Sequence, residues 1–363
     1  MIRVAQIIGK AAAGGVESVI MNLYKNIDRE NVQFDFFVEQ TSTIIDENKI
    51  KKLGGNVVII PSYKRPIRYV KELTKLFKDG QYDIVHSNMN ALSVFALMAA
   101  KKAGIKIRIA HSHSTTNKKE FFRNILKNLL RPFSKKYATH YFACSEFAGR
   151  WLFGNKTFNE GKVTIVNNAI DLKKFVYDKN IRQQIRIQYQ LEDKFVIGHV
   201  GRFTKQKNHK FLIDVFNNLQ KECLNAVLLL VGEGPLYSKI NKYVQELNLT
   251  EKVIFTGVQK DVSKYYQAMD CFVLPSLYEG LPVVGIEAQA NGLPCVFANT
   301  ITKEVLVNEN AKMLSLNAPM SSWVGCILKL KEREKKEFNN FKYNIINEAK
   351  KLHEEYLKMM EAK

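Results

Sequence analysis

The sequence predicts an α/β protein built from two successive Rossmann-like halves, each a parallel sheet with helices on both faces. Three observations carry that prediction. Short apolar runs of strand length alternate with helical segments of about 10–15 residues over most of the chain, the pattern of a parallel sheet covered on both sides. Glycine turns stand where a strand hands over to a helix, at Gly14-Gly15 near the start and again at Gly201 in the middle. A length of 363 residues points to two domains rather than one.

Composition narrows the class. Hydrophobic residues make up 46%, ample for two cores, and no apolar run is long enough to span a membrane. The start, MIRVAQIIGK, leads straight into a strand and lacks the cleavage region of a signal peptide. Five cysteines at 144, 223, 271, 295 and 326 form no CxxC and pair with no histidine motif, which argues for reduced thiols in the cytosol and against a structural metal. The formal charge of +20 is uneven. Residues 1–175 hold 29 Lys+Arg against 14 Asp+Glu, and residues 176–363 hold 26 against 21. The first half therefore faces something anionic. No nucleic-acid-binding module or aromatic platform accompanies the charge.

Residues 3–9 form the first strand, the small-residue loop 11–17 contains Gly14 and Gly15, and a helix runs to about Ile27. This is the strand–loop–helix unit of a nucleotide-binding half, although it is neither GxGxxG nor a lysine-bearing P-loop and reads equally as a tight turn. Strands follow at 33–39, 56–61, 83–88, 106–112 and 140–145, and helices at 66–78, 91–103, 119–130 and 145–153. Polar residues lie just past two strand ends, in His86-Ser87-Asn88 and His111-Ser112-His113. Ligands bind at the carboxyl ends of strands in such sheets, which makes His86, His111 and His113 candidate site residues.

Residues 118–136 carry Phe121, Phe122, Ile125, Leu126, Leu129 and Leu130 at helical spacing, with Arg123, Lys127, Arg131 and Lys135 every four residues on another face. Pro132 should break or kink that helix. Lys119, Arg123, Lys127 and Arg131 then suit an anionic membrane surface. The alternative is a core helix with a solvated basic edge.

The second half restarts with a strand at 194–200 and the turn Gly201-Arg202-Phe203, with Lys207 just before a helix that ends near Gln220. Arg202 offers a fork for phosphate oxygens and Lys207 a point charge. A strand at 226–231, the turn Gly232-Glu233-Gly234-Pro235, a helix at 236–247, a strand at 253–255 and the turn Thr256-Gly257-Val258 follow. Residues 271–292, CFVLPSLYEGLPVVGIEAQANG, read as strand, turn and helix, with Pro282 in the first helical turn. Glu279 sits in the turn and Glu287 inside the helix, at most roughly 12 Å apart. A helix N-terminus there binds anions, and two flanking carboxylates suit hydroxyl groups on either side of a bound phosphate, one sugar each. A strand at 294–299 and a long amphipathic helix carrying Phe338, Phe341, Ile345, Ala349, Leu352 and Tyr356 complete the chain.

Glu279-(x7)-Glu287, with its flanking Pro-Ser and Glu-Gly-Leu-Pro, resembles the E-x7-E signature of the retaining glycosyltransferases of family 4, and the likeness extends over nearly the whole chain. The resemblance implies the GT-B fold: two Rossmann-like domains facing across a cleft, with the C-terminal helix crossing back to the first. It divides the chain into an acceptor domain at 1–173, a donor domain at 174–335 and the returning helix at 336–363. It implies that Gly14 and Gly15 let backbone N–H groups approach the donor's diphosphate-sugar. His111 contacts the transferred sugar or the acceptor, with His113 as the open alternative, and His86 and His113 lie on the acceptor side. Gly201, Arg202 and Lys207 meet the departing diphosphate, and Gly257 and Val258 cup the base. Glu279 holds the sugar and Glu287 the ribose, and Gly280 and Leu281 count among the donor-binding residues. The catalytic set is then His111, Arg202, Lys207 and Glu279. Residues 300–304, TITKE, depart from the Gly-Gly pair that many relatives carry.

The implied reaction is transfer from a nucleoside-diphosphate sugar, a UDP-sugar ahead of a GDP-sugar, to a lipid-linked or oligosaccharide acceptor with retention, in building a capsule or exopolysaccharide. The chain has no Asp-x-Asp ligand pair, so no metal and no cofactor besides the donor is expected. The basic first half places the protein in the cytoplasm, peripherally on the inner face of the membrane, with no nucleic-acid partner. Two other readings fit part of the sequence. A nucleotide-sugar 2-epimerase shares the architecture and needs no acceptor. A non-catalytic basic membrane- or nucleic-acid-binding protein accounts for the charge but not for the Glu279/Glu287 and Arg202/Lys207 sets.

Overall fold

The structure, a computed structural model, describes residues 1–9, 15–40, 42, 47–113, 128–330, 333, 338 and 340–362. The chain divides into two units, residues 1–170 with 341–363, and residues 171–340.

The first unit holds β1 (Ile2–Gly9), β2 (Val32–Glu39), β3 (Asn56–Ile60), β4 (Ile84–Ser87), β5 (Ile107–Ser112), β6 (His140–Ala143) and β7 (Val163–Ile165). They form one parallel sheet in the order β3-β2-β1-β4-β5-β6-β7. Strand order reverses between β1 and β4, so a crevice opens at their carboxyl ends. Ala5, Ile7, Phe37, Val85 and Ala110 from the strands pack with Tyr69, Leu73 and Phe77 of the helix Pro66–Gly80 and with Leu97. Each buried Ile, Leu, Val or Phe among them contributes roughly 1.5–3 kcal/mol.

The helix Ile345–Glu361 belongs to this same unit and buries Ile345, Glu348, Ala349, Leu352, Tyr356 and Met359. Polar bonds fix its register. Asn167 donates to Glu348 from its backbone N (2.7 Å) and from Nδ2 (3.0 Å), and Lys351 Nζ donates to Ile165 O. Asn344 caps the helix by accepting from Ile346 N. The apolar repeat read from the sequence reaches too far back. Phe341 lies in a 3-10 turn before the cap and is 76% exposed.

The second unit holds β8 (Phe195–Val200), β9 (Ala226–Val231), β10 (Val253–Phe255), β11 (Cys271–Leu274), β12 (Cys295–Ala298) and β13 (Ala311–Leu314). They too are parallel, in the order β10-β9-β8-β11-β12-β13, with the reversal between β8 and β11. Ile197, Leu228, Leu230, Val273 and Val296 meet Leu212, Ile213 and Phe216 of the helix His209–Leu219 and the buried Trp323.

The predicted fold class therefore holds in both halves. Two strands and several helices went unread. β7 has three residues and β13 four, and the helices Glu47–Lys52, Asn155–Asn159, Lys179–Gln188, Ser263–Ala268 and Met320–Lys329 fell outside the predicted elements. Pro282 is the N-cap of the helix Val283–Ala290 and not a residue of its first turn. Most of the predicted helix 119–130 lies outside the described residues. After it, Pro132 sits in the 3-10 turn Arg131–Phe133, as its missing N–H requires.

Candidate active site

In the second unit the site residues gather at the sheet's reversal point. Leaving β8, Gly201 N donates to Val231 O (3.0 Å) and Phe203 N to Glu233 O (2.9 Å), which ties the Gly201-Arg202-Phe203 turn to the turn after β9. That approach needs glycine. Gly232 has φ 133°, and a Cβ there would stand 2.4 Å from Gly201 O. Gly232 N in turn donates to Gly257 O (2.9 Å), so the turn after β10 closes the same row. Gly257 takes φ 69° and leaves Val258 55% exposed beside it. Arg202 is exposed, and its side chain has no hydrogen-bond or ion-pair partner among the described residues.

The 3-10 turn Lys205–Lys207 then meets the segment after β11. Lys207 Nζ donates to Glu279 Oε1 at 2.7 Å, an ion pair largely withdrawn from water. Gln206 Nε2 donates to Glu279 Oε2 (3.1 Å) and to Tyr278 O (2.9 Å), while Gln206 O accepts from Leu277 N (2.8 Å). Asn208 Nδ2 donates to Pro275 O (3.2 Å). Both carboxylate oxygens of Glu279 are thus oriented by neighbouring residues of one short turn. Gly280 and Leu281 follow, both buried, and lead into the helix Val283–Ala290.

Glu287 is held differently. Tyr266 Oη donates to its Oε2 at 2.8 Å. Burial pushes the Glu287 carboxyl up to about 7, against the Tyr266 hydrogen bond and the charges of Lys174 and Lys207, which pull it down. One glutamate is therefore an ion-paired acceptor, and the other sits near its titration point at neutral pH. Residues 300–304 are anchored in this unit. Thr300 Oγ1 donates to Ser276 O (2.6 Å), and Thr302 caps the 3-10 turn Lys303–Val305.

In the first unit the three histidines converge at the ends of β4 and β5. His86 Nε2 lies 2.9 Å from His111 Nδ1, and the His111 and His113 rings stack with centroids 3.9 Å apart. All three are buried. Burial drives His86 and His113 down to about 3 and His111 well below its ordinary value, so all three are neutral. His86, expected on the acceptor side, has both ring nitrogens engaged inside the unit, by Tyr356 Oη (2.7 Å) and His111. It supports His111 and has no atom left to offer a ligand. His111 Nε2 and His113 Nδ1 are buried without a hydrogen-bond partner among the described residues.

Gly15 opens the helix Gly15–Asn26, whereas Gly14 lies outside the described residues, as do Lys119, Arg123 and Lys127. Arg131 is described and exposed, flanked by Leu129 (63% exposed) and Phe133 (45%). Among the described residues no group of His, Cys, Asp or Glu is placed to hold a metal, and no helix is long and apolar enough to cross a membrane. Sequence reasoning missed the supports. Gln206 lies between Arg202 and Lys207, where the motif gave it no task, and Tyr266 and Tyr356 come from elements distant in sequence.

Comparison with known proteins agrees with this arrangement. The family described as Glycosyltransferase Family 4 matches residues 13–174, and the one described as Glycosyl transferases group 1 matches residues 181–350. EpsF of Bacillus subtilis (strain 168), which carries a provisional glycosyltransferase name, is 34% identical over 345 residues, 93% of this chain and 90% of that protein. The UDP-Gal:alpha-D-GlcNAc-diphosphoundecaprenol alpha-1,3-galactosyltransferase of Escherichia coli is 24% identical over 385 residues, covering 99% of this chain and 97% of that one. The structure of Anabaena Alr3699/HepE in complex with UDP-glucose superposes over 100% of both chains with a TM-score of 0.78 at 16% identity, a likeness of fold. The chain belongs to the family 4 glycosyltransferases, with the GT-B fold.

Proposed function

We propose that this glycosyltransferase moves a sugar from a nucleoside-diphosphate sugar, a UDP-sugar ahead of a GDP-sugar, to a lipid-linked glycan acceptor, with retention and without metal, in assembling a surface polysaccharide. The observation that carries the reading is the Lys207–Glu279 ion pair, braced by Gln206, at the reversal point of the second sheet. The names of relatives support the same direction: the Escherichia coli protein is named for a UDP-sugar donor and a diphosphoundecaprenol-linked acceptor.

The chemistry follows from the groups present. Breaking the anomeric C–O bond leaves negative charge on the diphosphate, and preorganised donors stabilise that charge best. Lys207 has three N–H donors and spends one on Glu279, leaving others for a phosphate oxygen. The unpartnered fork of Arg202 supplies a second cation from the same turn. Glu279 then accepts from a sugar hydroxyl while Gln206 keeps it from rotating. Glu287 accepts from the ribose, and His111 meets the transferred sugar or the acceptor. No side chain is assigned as a covalent nucleophile.

A thermal-shift screen of UDP, GDP and ADP and of their sugars tests the donor. UDP should raise the melting temperature and a UDP-sugar should raise it further, because only the native state binds. Transfer to a lipid-linked acceptor should survive EDTA. Loss of activity on chelation, restored by Mn²⁺ or Mg²⁺, would contradict the metal-free mechanism, and no shift with any nucleotide would contradict the donor site.

A further inference from the structure

The histidines of the first unit lie at both ends of a longer chain of hydrogen bonds whose direction the buried groups determine. A backbone carbonyl only accepts, so the Asn88 atom facing His86 O (3.4 Å) is the amide nitrogen. The same nitrogen donates to Gln6 Oε1 (2.9 Å), which turns Gln6 Nε2 toward Tyr356 Oη (3.1 Å). Tyr356 Oη, having accepted from Gln6, has one buried acceptor for its own proton among the described residues, His86 Nδ1 at 2.7 Å. Neutral His86 then carries its proton on Nε2 and donates to His111 Nδ1. Neutral His111 in turn carries its proton on Nε2, the nitrogen with no partner among the described residues. At the other end, Asn88 Oδ1 accepts from His113 Nε2 (2.8 Å), so His113 Nδ1 is a bare lone pair, also without a partner among the described residues.

The opposite direction leaves a defect. With His111 donating to His86 and His86 donating to Tyr356, the hydroxyl would receive two protons and its own would point at nothing, inside a fully buried site. The geometry points to Tyr356, on the C-terminal helix, as a positioning residue that acts with Gln6 and Asn88 to fix the tautomers of all three histidines. In that state the stacked rings present an N–H at His111 and a lone pair at His113. The complement of that pair is a group that both accepts and donates, as a sugar hydroxyl does. The inference rests on the reading of His111 as a residue of the sugar site. It also explains why the last helix of the chain is tied to the first sheet by a buried polar contact and not by packing alone.

Histidine-selective 15N labelling of the intact resting protein tests it. The proton between His86 and His111 should show its one-bond coupling to His86 Nε2, with His111 Nδ1 and His113 Nδ1 both in the unprotonated range. Coupling to His111 Nδ1 instead overturns the proposal. In Tyr356→Phe, which removes the donor to His86, His111 Nδ1 should shift toward the protonated range as its second tautomer becomes populated. An unchanged His111 signal in that variant also overturns it. Should the variant fail to fold, the wild-type coupling decides alone. Neither readout uses glycosyl transfer, so failure here is distinguishable from failure of the proposed reaction.

Discussion

Glu279 and Glu287 are eight residues apart and chemically unlike, and the difference is open to test. Burial raises the Glu287 carboxyl from 4.5 to about 7. Between those values the folded chain binds a proton that the unfolded chain has lost. The associated stability is present in full below about pH 4.5 and is lost as the pH rises through about 7, on the order of 3 kcal/mol. Glu287→Gln stays neutral, so the free protein should melt higher than wild type at pH 8 and close to it at pH 4.5. Equal melting temperatures at both pH values would show that Glu287 is not raised. The ribose works in the other direction, because hydroxyl donors favour the anion. UDP should therefore bind wild type more tightly at pH 8 than at pH 6, a trend that calorimetry should find smaller in Glu287→Gln, where only the terminal phosphate of UDP still ionises in that range. For the leaving group, Arg202→Ala and Lys207→Ala should each lower turnover by about 10²-fold or more, as for loss of one charge-stabilising donor. Near-wild-type turnover in both would remove these residues from the mechanism.

At the scale of elements, the turns after β8, β9 and β10 form one row whose spacing Gly232 sets. Gly232→Ala would push a methyl group onto Gly201 O, so it should cost about 1–3 kcal/mol of stability and weaken UDP binding with it. A fully stable variant with unchanged affinity would show that the row adapts. This level was the most legible in the sequence. Buried parallel strands leave runs such as AVLLLV and CFVL, and the glycines and prolines that end them are local signals. The Lys207, Arg202 and Glu279 set was legible for the same reason, since its members lie in turns right after strands. What escaped was long-range or weakly patterned. Tyr356 supports a histidine 270 residues away, a contact that no local period encodes. The helix Lys179–Gln188, KNIRQQIRIQ, is mostly polar, and part of its anchoring is the pairing of Arg182 and Arg186 with Asp270 rather than an apolar stripe. The repeat at 338–356 was overread because apolar residues before the Asn344 cap continue the helical spacing without continuing the helix.

For the whole molecule, the uneven charge implies a partner beyond the donor. The first 175 residues carry 29 cations against 14 acids, and Arg131 stands exposed between exposed Leu129 and Phe133. Basic residues near an anionic leaflet contribute about 1 kcal/mol each, and exposed apolar side chains add burial at the acyl boundary. The protein should therefore sediment with anionic vesicles at low ionic strength and release at high salt. Replacing Lys119, Arg123, Lys127 and Arg131 by Gln should abolish that binding and leave UDP affinity unchanged. Indifference of the wild type to anionic vesicles would assign the charge to another partner. The central claim, a sugar nucleotide held between two glutamates with separate tasks, is tested most directly by calorimetric titration of UDP and a UDP-sugar into wild type, Glu279→Gln and Glu287→Gln. Glu279→Gln should keep the affinity for UDP and lose the increment due to the sugar, and Glu287→Gln should weaken both ligands. The reverse pattern, or equal binding of both ligands by all three proteins, would contradict the account.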